Sequence, residues 1–165
     1  MTDSDYAQGL LAAYEDEVSG EAYFGGLADH FPVETQRDKL ALLAEVERHT
    51  AGVLLPLVER HGLAPSPVPV LHELGRTEAA AWHGGGWPGL MQEMAGDYQV
   101  YVEEFRALER MAPDDDRPAL ARLTRHELLI IGFAEKELAG SADSLNAIRC
   151  FVEGDPSAGG TGAPD

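Results

Sequence analysis

Carboxylate side chains interrupt the apolar faces of the amphipathic segments in this chain. Each face carries at least one acid near its middle or its margin: Glu17, Glu21, Glu47, Asp97, Glu104 and Glu127. Acids are almost never fully buried without a partner. Several buried carboxylates repel one another unless protons or a cation lie between them, so this pattern predicts a metal-binding or proton-coupled site.

The positions of these acids on their helices follow from a turn of about 100° per residue. Glu21 and Glu127 fall near the centre of an apolar face, and Glu17 lies one turn before Glu21. Glu47 falls on a shoulder, and His126 lies toward the edge of its face. Oxygen ligands suit iron, manganese or magnesium, and a histidine shifts the preference toward iron or zinc.

Four long helices are predicted to carry these side chains. Helical periodicity, capping residues and breakers place the long helices at about residues 4–30, 34–61, 88–111 and 117–139. The acids at positions 17, 47, 104 and 127 then all lie near the middle of a helix, where they can meet. Pro56 lies inside the second helix, so a kink or an early end is expected there.

A long connection separates the second and third helices. Residues 62–88 contain alternating prolines and a glycine triplet flanked by Trp82 and Trp87, with a short helix expected at about residues 71–82. This length suits a crossover that travels along a bundle. A further short helix is expected at about residues 143–152, so residues 1–152 form one all-α domain. Residues 153–165 are expected to form a disordered tail.

Composition and charge exclude several classes of function. The chain has 29 acidic residues against 12 Lys and Arg, a net charge of −17, which disfavours nucleic acid and anionic membranes as partners. Its single cysteine, Cys150, allows no internal disulfide and no cysteine metal cluster. The N-terminus is no signal peptide and no apolar run has the length of a membrane span, so a cytoplasmic protein is expected.

The chain resembles the ferritin-like di-iron carboxylate superfamily, in the manner of rubrerythrins and bacterioferritins. The residues that carry the resemblance are Glu17-Val-Ser-Gly-Glu-Ala-Tyr-Phe-Gly-Gly-Leu-Ala28, Leu43-Ala-Glu-Val-Glu-Arg-His49 and the segments around Glu104 and Glu127. The resemblance implies a ferritin-like four-helix bundle with one long crossover, an iron or manganese cofactor, and an oxidoreductase or other oxygen- or peroxide-handling activity on a small-molecule substrate. A homodimer also accords with it. The ligands implied are Glu17, Glu47, Glu104 and Glu127, with Glu21 and His126 as additional candidates.

A second hypothesis is a metal-free bundle of the same fold that binds a small molecule or another protein. The family pattern places a histidine three residues after a ligand glutamate on two helices. Here Thr50 follows Glu47 at that spacing and Ile130 follows Glu127, so both histidines are absent. Their absence favours the metal-free hypothesis. No Ser-His-Asp or Cys-His arrangement supports nucleophilic catalysis.

Overall fold

The computed structural model describes residues 3–154, and these residues are almost entirely helical. The helices are α1 (Asp3–Leu27), a 3-10 turn (Ala28–His30), α2 (Glu34–Arg60), α3 (Val68–Ala81), α4 (Gly86–Gly96), α5 (Gln99–Met111), α6 (Arg117–Leu138) and α7 (Asn146–Glu153). The described residues contain no strand, so the all-α class predicted from the sequence is confirmed. No helix within residues 3–154 combines the length and hydropathy needed to cross a bilayer.

The predicted third helix is divided in two, which corrects the single span of residues 88–111. Helix α4 ends at Gly96 and α5 begins at Gln99. Gly96 is exposed and has no side chain that could pack against the core. Nothing therefore offsets the poor helix propensity of glycine at this point.

The early end considered for the second helix at Pro56 does not occur. Helix α2 continues past the proline to Arg60. Pro56 itself is exposed, while Leu54, Leu57 and Val58 around it are buried. Burial of these neighbours offsets the hydrogen bond that proline cannot donate.

Two apolar clusters form the core, one toward each end of the molecule. The Leu10 cluster includes Leu10, Val18, Ala51, Leu54, Leu57, Leu71, Phe105, Leu108, Leu120 and Leu123. The Leu43 cluster includes Phe24, Leu27, Leu40, Leu43, Val46, Ala79, Leu90, Met94, Ile130, Phe133, Ile148 and Phe151.

Membership of the two clusters gives the direction of each helix. Helices α1 and α6 run from the Leu10 cluster to the Leu43 cluster, and α2 runs the opposite way. The α4–α5 segment runs parallel to α2, because α4 contributes to the Leu43 cluster and α5 to the Leu10 cluster. Helix α3 carries the chain back between α2 and α4, with Leu71 in one cluster and Ala79 in the other.

Small residues allow α3 to lie directly against α1. A Cβ atom at Gly75 would lie 2.0 Å from the Ser19 carbonyl oxygen, and one at Gly26 would lie 2.8 Å from Ala79 Cβ. Glycine at these positions therefore permits the close approach of the two helices.

Helix α7 covers the Leu43 cluster with Ile148 and Phe151. Of the tail expected from residue 153, Glu153 ends α7, and positions 155–165 lie outside the described residues.

Candidate metal centre

Four buried polar side chains lie in the layer between the two apolar clusters. Glu17 on α1, Glu47 on α2, and His126 and Glu127 on α6 are each at most 6% exposed. On α2 and α6, residues of the two clusters lie on opposite sides of these positions, and on α1 the Leu10 cluster extends to Val18 and the Leu43 cluster begins at Phe24. The fold therefore encloses a polar layer between two apolar clusters.

The imidazole of His126 is at the centre of this group. Its Nε2 lies 3.2 Å from Glu17 Oε2, 3.6 Å from Glu47 Oε1 and 3.6 Å from Glu127 Oε2. Its Nδ1 contacts the backbone carbonyl of Leu123, to which an Nδ1–H donates. In the neutral ring, Nε2 then holds the lone pair and faces the three carboxylates. Fixing the tautomer through the other ring nitrogen is typical of metal-binding histidines.

Three atoms of this group are buried without a hydrogen-bond partner. They are Glu17 Oε2, His126 Nε2 and Glu127 Oε1. Burying a polar atom without a partner costs about 1–3 kcal/mol. The Glu17 Oε2 to His126 Nε2 distance of 3.2 Å is short enough for a hydrogen bond, but the two atoms do not meet the geometry for one. Both atoms are free to bind a third atom placed between them.

Glu17 and Glu127 hold protons more strongly than isolated carboxyl groups do. Burial raises the pKa of Glu17 well above its ordinary value, and the charges of Glu47 and Glu127 add to the effect. Burial likewise raises the pKa of Glu127 to about 8, although His126 opposes the shift. Burial lowers the pKa of His126, but Glu47 and Glu127 outweigh it, so that pKa lies above its usual value. A bound cation would replace these protons.

The donor atoms fit a single metal ion. Glu17, Glu47 and His126 each offer one ligand atom, and these atoms lie within 4.8 Å of one another. Two ligands on opposite sides of an ion, each bonded at about 2.1 Å, are about 4.2 Å apart. Small side-chain adjustments are therefore enough to bring the three atoms to a common ion. Glu127 is not one of these three close donors: its Oε2 lies 3.6 Å from His126 Nε2, and its side chain would have to move to serve as a fourth ligand.

Gly20 provides the space that the carboxylate of Glu47 occupies. A Cβ atom at position 20 would lie 2.5 Å from Glu47 Oε2. Gly20 lies one turn after Glu17 on α1, so the same helix supplies one candidate ligand and the room for another. The sequence alone did not connect Gly20 with the site.

A cavity of about 480 Å³ extends from the cluster toward the surface. Its inner wall contains Glu17, Glu47 and Glu127, and its outer wall contains the exposed side chains of Asp16 and Glu78. Although Asp16 is exposed as a whole residue, partial burial of its carboxyl group raises its pKa to about 6, with further contributions from the surrounding acids, first among them Glu104. Solvent and small molecules therefore have a route to the buried carboxylates through a negatively charged opening.

Comparison of the chain with protein-family models, with curated proteins and with solved structures found no match.

Two of the ligand candidates proposed from the sequence are not part of the cluster. Glu21 is half-buried and its Oε2 lies 3.6 Å from His72 Nε2 on α3. Helix α1 packs against α3 as well as α2, so the face that carries Glu21 meets the crossover helix rather than the centre. Glu104 is exposed on α5, as is Asp97 between α4 and α5.

The position of His126 differs from the one expected at the edge of an apolar face. The residue is completely buried, because α6 packs against α2, α4, α5 and α7 and is covered on several sides. Adjacent residues such as His126 and Glu127 can then both point inward. The ring of Phe105 lies 5.9 Å from that of His126, centroid to centroid, and closes this side of the site.

The residues at the two positions where the di-iron pattern places histidines do not supply ligands. The Thr50 hydroxyl donates to the Val46 carbonyl of its own helix at 2.9 Å, and Ile130 belongs to the Leu43 cluster. His49 lies elsewhere, with its Nε2 2.9 Å from Arg122 and its ring against Phe151. His126 is therefore the one histidine among the described residues that joins the acidic cluster.

Proposed function

We propose that this chain is a ferritin-like metalloprotein that binds one iron or manganese ion through Glu17, Glu47, Glu127 and His126. The observation that carries the proposal is the set of buried atoms without partners, Glu17 Oε2, Glu127 Oε1 and His126 Nε2. Such atoms are costly in an interior unless a ligand satisfies them. Glu17 Oε2 and His126 Nε2 can each donate a lone pair to one cation placed between them, and Glu127 lies beside that position.

The helix directions support the ferritin-like part of the proposal. In that fold, two antiparallel helix pairs are joined by one long crossover that makes the second and third helices parallel. Helix α2 and the α4–α5 segment run in the same direction, and the connection that contains α3 joins them. Helix α3 also packs along α1, which adds a layer to the four-helix arrangement.

The ligand set favours one ion of intermediate hardness. Three carboxylates and one imidazole suit manganese or iron, and no thiolate is available at the site to favour a softer metal. A second ion would need a further histidine or carboxylate, but Thr50 and Ile130 occupy the positions at which the di-iron pattern places histidines. We therefore expect a mononuclear centre.

The protein residues bind, orient and shield this centre. The carbonyl of Leu123 fixes the tautomer of His126, and Gly20 leaves room for the Glu47 carboxylate. The apolar clusters on both sides of the polar layer lower the local dielectric constant, which strengthens the electrostatic interactions within the site. When bound, the metal would supply redox or Lewis-acid chemistry toward oxygen or peroxide, as an oxidoreductase requires.

The test is metal analysis of the purified chain after separate anaerobic reconstitution with Fe(II) and with Mn(II). We expect about one ion per chain. Two matched pairs of variants assign the site: Glu17→Gln against Glu21→Gln on α1, and His126→Ala against His49→Ala. The first member of each pair should lose most of the bound metal and the second should retain it. Absence of metal from the wild-type chain in both reconstitutions would overturn the proposal.

One observation favours the alternative of a metal-free small-molecule-binding or protein-interaction module. The pKa of Glu127 at about 8 keeps that group largely protonated at neutral pH, and burial raises the pKa of Glu17 in the same direction, so protons can lower the negative charge of the core without a cation. Under this alternative, Glu17→Gln leaves ligand binding in the cavity unchanged, because glutamine imitates the protonated acid. Metal binding and this result together distinguish the two functions.

A further inference from the structure

The cavity beside the candidate metal centre is lined by both acidic and aromatic side chains. Its lining contains six carboxylates and five aromatic rings. No lysine, arginine or histidine of the described residues lines it. The acids are Asp16, Glu17, Glu47, Glu78, Glu93 and Glu127, and the rings are Tyr23, Phe24, Tyr98, Tyr101 and Phe105. A cavity with this lining repels anions and attracts cations.

Two of the inner acids present free hydrogen-bonding capacity to the cavity. Glu17 and Glu127 are 2% and 5% exposed, line the cavity, and each has one carboxyl oxygen without a partner. These atoms distinguish the cavity from an ordinary acidic surface, whose carboxylates are satisfied by water. They also mark its inner end as a place where a bound molecule or ion completes the interactions.

The outer acids are different residues from the candidate ligands, although Asp16 is the neighbour of Glu17 on α1. Asp16 and Glu78 are exposed on α1 and α3, and Glu93 is half-buried on α4. The Trp82 indole N–H donates to Glu93 Oε2 at 3.0 Å, which fixes the orientation of this carboxylate. Three separate helices therefore place negative charge around the entrance, and a ligand held there does not compete for the ligand atoms of the metal centre.

The rings provide an apolar surface that a bare metal ion does not need. Tyr98 and Tyr101 form an edge-to-face pair with centroids 5.6 Å apart, and Tyr23 and Phe24 form a second pair at 5.4 Å. Aromatic faces attract organic cations, and aromatic edges and faces also pack against apolar groups. The volume of about 480 Å³ lies in the range typical of small-molecule sites.

We propose that this cavity binds an organic ammonium ion with a small apolar or aromatic body, and that such amines are the substrate class of the neighbouring metal centre. The ammonium group pairs with the carboxylates of Asp16, Glu78 and Glu93, and the apolar body packs against the tyrosine and phenylalanine rings. The role as substrate rests on the metal centre proposed above. The binding itself does not, because the outer acids and the rings are not themselves candidate metal ligands.

Isothermal titration calorimetry with three probes of similar size tests the binding. The probes are phenethylamine, the neutral 2-phenylethanol and the anionic phenylacetate, each titrated into the metal-free and the Mn(II)-loaded chain at low ionic strength. We expect phenethylamine to bind at least about tenfold more tightly than 2-phenylethanol, and phenylacetate not to bind. Equal affinity for the amine and the alcohol would overturn the proposal.

Charge-matched variants separate a specific site from a general effect of the acidic surface. Asp16→Asn combined with Glu78→Gln should weaken phenethylamine binding about tenfold, because two carboxylates of the entrance are neutralised. Glu103→Gln combined with Glu135→Gln removes the same charge from exposed positions outside the cavity and should change the affinity less than about twofold. Equal weakening by both pairs would show non-specific attraction and reject the cavity as the site.

The two proposals fail in different ways. Amine binding without any metal uptake would remove the metal centre and leave the ammonium site. Stoichiometric metal uptake without preference for the amine would leave the metal centre and remove the ammonium site. A Tyr101→Ala variant adds a measurement on the rings: it should weaken phenethylamine several-fold and leave the metal content unchanged.

Discussion

His126 Nε2 lies 3.2 Å from Glu17 Oε2 in a fully buried setting, yet neither atom has a hydrogen-bond partner. The two atoms belong to helices that are far apart in the sequence and meet only in the layer between the two apolar clusters. Burying such a pair lowers the stability of the metal-free protein. The relationship therefore indicates a site that is complete only when a ligand is bound.

Removing one member of this pair should stabilise the metal-free protein. In Glu17→Met, an unbranched apolar side chain of similar length replaces a buried acid, and we expect the free energy of unfolding to rise by about 1–3 kcal/mol. Urea denaturation of the metal-free chain measures this change. Glu21→Met, at a half-buried position on the same helix, should alter stability by less. A clear loss of stability in Glu17→Met would mean that the glutamate is well paired.

Metal binding should strengthen as the pH rises toward 8. The pKa of Glu127 is about 8 and that of Glu17 is also raised, so the ion must displace protons below this pH. The same raised pKa values make the folded, metal-free chain less stable as pH increases from about 4.5, because it binds more protons than the unfolded chain. We therefore expect Mn(II) to raise Tm more at about pH 8 than at about pH 6. An equal or opposite difference would contradict this linkage.

Gly20→Ala should damage the metal site more than the fold. The added Cβ would meet Glu47 Oε2 at 2.5 Å, and the flexible carboxylate can move away at little cost in stability. Moving it displaces a ligand, so we expect at least about tenfold weaker Mn(II) binding with a stability change below about 1 kcal/mol. Gly25→Ala is the control, since a Cβ there has no atom within 4 Å. Equal Mn(II) affinity in the two variants would show that Glu47 is not a ligand.

Gly75→Ala should destabilise the packing of α3 on α1. The new Cβ would lie 2.0 Å from the Ser19 carbonyl oxygen, and a backbone atom cannot move aside without shifting a helix. Overpacking of this kind costs about 1–3 kcal/mol, measured as a loss in the free energy of unfolding. Gly52→Ala on α2 has open space around its Cβ and should be neutral or stabilising. If both variants have the same stability, α3 does not pack as described.

Asp116→Asn should destabilise the end of the molecule where α2 finishes and α6 begins. Asp116 is buried, accepts a hydrogen bond from Tyr6 at 2.7 Å, lies 2.6 Å from His61 Nε2 and pairs with Arg60. Burial acts to raise the pKa of Asp116, but these hydrogen bonds and charges outweigh it and hold the pKa below its usual value. We expect a loss of about 1–3 kcal/mol at neutral pH.

The pH dependence of this loss follows from the lowered pKa of Asp116. The carboxylate contributes its stability above the unfolded value of 3.8 and loses it as pH falls through the folded value. The difference between the variant and the wild type should persist down to about pH 4 and shrink below it, as denaturation at several pH values would measure. Asp115→Asn, at an exposed neighbouring position, should show no such difference.

The helices and the buried acids of α1, α2 and α6 could be predicted because both depend on local patterns. Apolar periodicity and capping residues place most helix ends within a few residues of those observed, as in Glu34–Arg60 and Arg117–Leu138. Glu17, Glu47 and Glu127 were recognisable as polar residues within apolar faces. The break between α4 and α5 could not be predicted, because a sequence containing Gly96 and Asp97 is compatible both with a break and with one continuous helix.

The sequence by itself determined an all-helical chain with acids placed toward its interior, since both properties follow from the order of side chains along single helices. Tertiary structure alone decided which acids meet. Packing of α6 on several neighbours turned His126 inward, packing of α1 on α3 drew Glu21 away, and the room beside Gly20 received Glu47. These outcomes depend on which helix faces which, and that relation arises from the packing of whole helices rather than from the periodicity of any one of them.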